Sequence, residues 1–152
     1  MQNIENWKKV AGFNDYSVSD RGNVRNDKTG RILQTGTHLN GYYYVNLRKN
    51  NKPLSKNVHR LVAGAFLPNP ENKKSVDHIN NDRKNNKLTN LRWATLSENQ
   101  HNRKINKNCS SGSKGVSFVK KTNKWRARIS INGKEIYLGS FMKKEDAVNI
   151  RR

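Results

Sequence analysis

Between Tyr42 and Arg48 the chain alternates, with Tyr43, Val45 and Leu47 on one side and Tyr44, Asn46 and Arg48 on the other. This period of two predicts a half-buried strand whose second face is polar and basic. Upstream, Tyr16 and Val18 alternate with polar neighbours, Asp20 to Asn23 supplies turn residues, and Val24 begins a return strand. A hairpin is the economical reading, with Ile32 and Leu33 as candidates for a third strand. The period then changes. Leu61, Val62, Ala65 and Phe66 recur at helical spacing within Asn57 to Leu67, and Pro68 with Pro70 closes that helix.

Two short apolar runs follow, Ser75 to Ile79 and Leu91 to Ala94, which can pair as strands around a long polar loop. Thr95 and Glu98 form a capping-box pattern ahead of Leu96 to Lys104, a stretch without Pro or Gly, so a helix is expected there. Trp93 is the obvious packing anchor of this unit. Ile105 to Lys114 is rich in Ser, Asn and Gly and reads as a linker. Beyond it, Val116 to Lys120, Trp125 to Ile131 and Glu135 to Phe141 predict three strands, joined near Thr122 and Asn123 and by Asn132-Gly133, a strong hairpin signal. Trp125, Ala127, Ile129 and Ile131 share one face, to be covered by Ala147 and Ile150 of a last helix from Lys143, while Arg126, Arg128 and Ser130 face outward. The expected architecture is α+β: a β-rich module over 1–56, a strand-loop-strand-helix unit with its preceding helix over 57–104, a linker over 105–114, and a three-stranded antiparallel sheet with a short helix over 115–152.

Composition sharpens this picture. Thirty-one Lys and Arg against eleven Asp and Glu give a net charge of +20, spread along most of the chain, and such a field attracts polyanions, nucleic acid above all. With 32% hydrophobic residues, no long apolar run and no signal-peptide pattern, a soluble cytoplasmic protein without a membrane partner is expected. The single cysteine, Cys109, excludes an intramolecular disulfide and a Cys-rich zinc site.

The candidate chemistry lies at Asp77-His78. Adjacent strand residues point to opposite faces unless a bulge re-aims one of them. Asn90 follows His78 by twelve residues and Asn99 comes nine later. An imidazole titrating near pH ~6.5 suits a base that deprotonates water. A carboxylate and an amide are hard oxygen ligands that favour Mg²⁺ or Mn²⁺ and disfavour zinc. This order and spacing closely resemble the HNH endonuclease motif in its ββα-metal fold, in the variant with Asn at the third position. The resemblance implies that His78 is the general base, that Asn90 orients it or its loop, and that Asp77 and Asn99 hold one divalent metal. The matched motif gives His59 no role, and His59 reads as a residue that caps or packs the helix start.

Two further resemblances flank the motif. Trp7 to about Arg31 resembles the small modular domain found N-terminal to the nuclease in many HNH homing endonucleases, which implies DNA contact by the sheet and makes Tyr44 and Arg48 candidates. Gly-Val-Ser-Phe, Trp-Arg-Ala-Arg-Ile, Asn-Gly-Lys and Tyr-Leu-Gly-Ser-Phe after residue 114 resemble the DNA-binding domain of plant APETALA and ethylene-response factors. By position this places Lys114, Ser117, Arg126, Arg128, Ser130 and Tyr137 on a groove-facing sheet, where Arg can read guanine edges. The family helix is longer than Lys143 to Arg152. The expectation is a metal-dependent homing-type endonuclease that acts on double-stranded DNA as a monomer without a small-molecule cofactor. Its alternatives are a DNA-binding regulator with an inactive nuclease unit and an RNA-binding splicing factor.

Overall fold

The hairpin expected around Tyr16 and Val24 forms between β2 (Phe13–Ser19) and β3 (Val24–Asn26), and β1 (Trp7–Val10) pairs with the other edge of β2. The structure, a computed structural model, describes residues 4–103, 105, 109, 111–131 and 134–151. Buried Ser19 closes the β2–β3 turn by accepting hydrogen bonds from Arg21 N and Asn23 N at its Oγ. Ile32 contributes only a single bridge to Arg25 in place of a third strand.

A second sheet is ordered β4 (Gly36–Thr37), β5 (Tyr43–Lys49), β6 (Lys52–Asn57). The alternation read from β5 holds, with Val45 and Leu47 fully buried and Arg48 exposed. β6 was not legible: Pro53 and a polar run argue against a strand, yet β6 lies at a sheet edge, where the missing N–H is tolerated. Its signal is Asn50-Asn51, both at positive φ (50° and 59°), as a tight hairpin between right-twisted strands requires.

Helix α1 (Val58–Phe66) follows directly, one residue inside the expected bounds at either end. Then come β7 (Ser75–His78), a short 3₁₀ turn at Leu88–Asn90, β8 (Leu91–Ala94) and α2 (Leu96–Asn102). The capping box forms as read, with Thr95 N donating to Glu98 Oε2 (2.7 Å) and Glu98 N to Thr95 Oγ1 (3.2 Å). Trp93 packs on the core and its indole N–H donates to Leu67 O (3.2 Å), which ties β8 to the end of α1.

One core joins strands of all three sheets to α1. Val10, Tyr16, Val18, Val24, Val45 and Leu47 from the first two sheets meet Val58, Val62 and Ala63 of α1 and Val76 and Leu91 of β7 and β8. Residues up to Asn102 accordingly form one compact unit, with α1 touching strands of all three sheets and one buried cluster drawing residues from both sides of residue 56.

The second unit, from Arg103, is a meander of β9 (Val116–Val119), β10 (Lys124–Ile131) and β11 (Lys134–Phe141) with α3 (Lys144–Asn149). Its buried core is small: Val116, Ala127 and Ala147, flanked by Trp125, Leu138, Phe141 and Val148. Ile150 does not cover the sheet as expected. Helix α3 ends at Asn149, so Ile150 falls past the helical face and is 53% exposed, while Val148 packs instead. The Asn132-Gly133 turn and parts of the 105–114 linker lie outside the described residues. Among the described residues no helix is long and apolar enough to cross a membrane.

Candidate functional site

Strand β7 pairs with β8 in unbroken antiparallel register, Asp77 opposite Arg92 and His78 opposite Leu91. With no bulge, the pleat sends Asp77 and His78 to opposite sides, and their side chains have different hydrogen-bond partners. Both residues are 4% exposed.

On the Asp77 side, Arg92 donates from Nε and Nη2 to Oδ2 (3.0 and 2.8 Å). Asn102, the last residue of α2, donates from Nδ2 towards both carboxylate oxygens (3.1 and 3.0 Å) and to His78 O (2.9 Å). Asn99 lies one turn earlier on α2 and shares that face, half-buried, and its side chain has no hydrogen-bond partner among the described residues. A divalent cation fits this donor set. Arg92 leaves Oδ1 of Asp77 to Asn102 alone, and the amide oxygen of Asn99 is, like a carboxylate, a hard donor of the kind such an ion prefers. Among the described residues no group of three or more His, Cys, Asp or Glu could hold a metal.

On the other side, His78 Nε2 meets Asn86 Oδ1 at 3.1 Å, and the Asn86 amide is oriented by donating from Nδ2 to Lys84 O (3.2 Å). This network assigns the proton to Nε2 and leaves Nδ1 as the basic nitrogen. Asn90 lies elsewhere. Its Oδ1 accepts from Asn80 N (3.0 Å) and its Nδ2 donates to Asn85 O (2.8 Å), which pins the two ends of the loop and reaches His78 only through it. Burial holds the His78 imidazole below its ordinary value, opposed by the Asn86 hydrogen bond and the Asp77 charge.

His59 does pack, but against the candidate base. Its ring is edge-on to His78 (centroids 5.1 Å) and 4.7 Å from Tyr42, and its Nδ1 is buried without a partner. Burial, then the neighbouring His78 and Arg60, push its pKa down to about 3, so it stays neutral. The β2–β3 turn also reaches this side: Leu88 N donates to Asp20 O (2.7 Å), and a Cβ on Gly22, at φ +90°, would lie 2.9 Å from Asn86 Cβ.

The outlying candidates separate. Tyr44 stacks on His38 (4.3 Å) and covers Gly36 with its ring, while Arg48 is exposed on the same strand. In the second unit, Arg126, Arg128 and Tyr137 line one open groove of about 470 Å³ with Glu135 and Ser140. Ser117 is the cross-strand partner of Arg126, and Ser130 that of Glu135, which places both on this face. Arg128 is paired to Glu135 (2.6 Å), and Arg126 Nε is buried without a protein partner. Lys114 lies apart, beside Ser113, Val148 and Arg151.

Sequence reasoning missed Asn86, Asn102, His59 and Tyr42 as neighbours of the site. Asn102 had a signal, its spacing of three from Asn99 on a helix. Asn86 had none, being one of five asparagines between residues 80 and 90.

Comparison with known proteins agrees with this layout. Residues 5–48 match the NUMOD4 motif and residues 56–101 the HNH endonuclease family. Over 97 residues the chain is 38% identical to the DNA endonuclease I-HmuI of Bacillus phage SP01, covering 63% of this chain and 56% of that protein. Over 103 residues it is 47% identical to the uncharacterized HNH endonuclease L247 of Acanthamoeba polyphaga mimivirus, covering 64% and 26%. A solved structure concerned with DNA binding and cleavage by the HNH homing endonuclease I-HmuI superposes with a TM-score of 0.61 at 32% identity, over 87% of this chain and 76% of that one. The chain spans between about a quarter and just over half the length of the curated relatives it matches. HNH nucleases in general depend on a divalent metal. By its fold, the order of its motif residues and these likenesses, the chain belongs to the HNH homing endonuclease family.

Proposed function

We propose that the chain is a metal-dependent endonuclease that hydrolyses a phosphodiester bond of double-stranded DNA at the Asp77-His78 site. The observation that carries this reading is the division of labour across β7: a buried imidazole held through Nε2 on one side, and a buried carboxylate facing the Asn99 and Asn102 face of α2 on the other.

His78 takes a proton at Nδ1 from the water that attacks phosphorus in line, and a lowered pKa keeps that nitrogen unprotonated at neutral pH. Asn86 fixes the tautomer, and Asn90 fixes the loop that carries Asn86. Asp77 and Asn99 are the residues that would hold Mg²⁺ or Mn²⁺, and the ion would supply Lewis-acid stabilisation of the charge that develops on the departing oxygen. Arg92 and Asn102 keep the Asp77 carboxylate in place. The products are 5′ phosphate and 3′ hydroxyl ends. With one such site per chain, a monomer nicks one strand, and a double-strand break needs two chains. The basic groove of Arg126, Arg128 and Tyr137 supports sequence readout by the second unit, with Ser117 and Ser130 beside it and Tyr44, Arg48 and Lys114 as further backbone contacts.

The test is cleavage of a supercoiled plasmid library with and without Mg²⁺ or Mn²⁺, comparing wild type with His78→Ala. Metal-dependent nicking is expected to fall by about 10²–10⁴-fold in the variant while DNA affinity stays unchanged. Equal cleavage by the two proteins would overturn the base assignment, and DNA binding without cleavage in either metal would overturn the nuclease reading.

A further inference from the structure

The loop between β7 and β8 is long and polar, yet it is held rigidly. Asp82 N donates to Asn80 Oδ1 (2.8 Å), Lys84 N to Asp82 Oδ1 (3.0 Å) and Asn85 N to Asp82 O (3.1 Å), so side-chain and backbone turns follow one another. Asn90 closes the two ends, as described above. In the middle of this run Arg83 is displayed to solvent.

Its guanidinium is fixed on two sides. The Cζ atom lies 5.0 Å from the centroid of the Tyr42 ring, and Nη1 donates to Asn40 O (2.6 Å). Tyr42 in turn lies 5.7 Å from the His78 ring and 4.7 Å from His59, so one aromatic ring separates Arg83 from the candidate base. The site's other arginine is neutralised: Arg92 is committed to Asp77. Arg83 forms no ion pair among the described residues, and its single hydrogen bond to protein leaves the rest of its five N–H donors unused. A planar fork of donors, stacked and immobilised beside a candidate phosphodiester-cleaving site without a counter-charge, is matched by a phosphate oxygen pair.

We propose that Arg83, held on Tyr42 and Asn40, binds a backbone phosphate of the DNA strand next to the point of cleavage, and so places the scissile bond against His78. This inference rests on the nuclease reading of the same site and adds to it a substrate-positioning residue on the imidazole side of β7, opposite the metal-ligand side. The arrangement is preorganised, so the side chain is ordered before the substrate arrives. A lysine at this position keeps the charge but loses both the stack and the fork.

The experiment measures duplex DNA affinity without divalent metal over a range of salt concentrations for wild type, Arg83→Ala and Arg83→Lys, alongside nicking in Mg²⁺ or Mn²⁺. Removal of one phosphate contact is expected to reduce the magnitude of the log–log salt slope by about one in Arg83→Ala. Arg83→Lys is expected to keep the slope while its nicking rate falls with that of Arg83→Ala. A slope unchanged in Arg83→Ala overturns the proposal, as does wild-type nicking by Arg83→Lys. Wild-type protein that binds DNA but cuts in neither metal overturns the nuclease reading instead, and the slopes still decide whether Arg83 contacts phosphate. Wild-type protein without DNA affinity overturns both.

Discussion

The two units are built from the same material, short antiparallel strands backed by a helix, but they hold their functional residues in different ways. Up to Asn102, three sheets close on α1 around a continuous core, and Asp77 and His78 are themselves 4% exposed and held by hydrogen bonds to Arg92, Asn102 and Asn86. From Arg103 onwards the buried core is Val116, Ala127 and Ala147, and the groove residues Arg126, Arg128 and Tyr137 stand on a sheet with solvent on one face. Placing a base and a carboxylate needs positions fixed to fractions of an ångström, which dense packing supplies. Long side chains adjusting to a partner need only a platform. The contrast sets the proposed chemistry on the continuous core and the proposed readout on the thin one.

The sharpest way to break this comparison is at Leu47, fully buried where the second sheet meets the shared core. Leu47→Ala is expected to destabilise the first unit by about 2–5 kcal/mol in denaturant titration, and to lower nicking with it, although Leu47 is on a different sheet from His78. Stability within experimental error of wild type would show that the sheets do not share one core. Next in size is Arg128→Ala, which removes the guanidinium paired with Glu135 from the groove. If Arg128 makes a bidentate base contact, discrimination between the preferred site and its single-base variants should fall by about 1–3 kcal/mol in competition binding. Unchanged discrimination would remove Arg128 from the readout face.

A third effect separates the units by pH. All four histidines lie in the first unit. His59, lowered from 6.5 to about 3, is neutral when folded and takes up a proton on unfolding at acid pH. Its contribution is therefore complete above about pH 6.5 and is lost as pH falls towards 3, by up to about 1.4 kcal/mol per pH unit. His78, also lowered by burial, acts in the same direction. Unfolding free energies between pH 7 and 4 should thus fall less steeply for His59→Phe than for wild type, and identical slopes would contradict a buried neutral His59.

Much of the molecule was legible locally. The alternation of β5, the capping box at Thr95 and Glu98, and the three strands of the second unit depend on neighbours in sequence, and each forms where it was read. The site was legible in part. Asp77 and His78 occupy one strand as expected, but hydrogen-bonding to the imidazole falls to Asn86, and holding the carboxylate to Arg92 and Asn102. In a loop with five asparagines every amide has the same local chemistry, and only a contact from far away selects one. Asp20 and Gly22, more than sixty residues upstream of Leu88 and Asn86, are the distant residues that touch this stretch, and no periodicity records them. β6 failed for a different reason: an edge strand with Pro53 has neither a buried face nor a full ladder to leave a pattern.

The close approach of Gly22 to Asn86 also bears on how such proteins can be recombined. The 5–48 and 56–101 segments match separate motifs, which invites the view that evolution shuffles them as interchangeable cassettes. Yet the tip of the β2–β3 turn lies against Asn86, the hydrogen-bond partner of His78, and a side chain there would meet both the strained φ of +90° and the Asn86 backbone. A chimera that imports a foreign N-terminal segment must bring a glycine to that position, or Asn86 has to shift and its contact with His78 shifts with it.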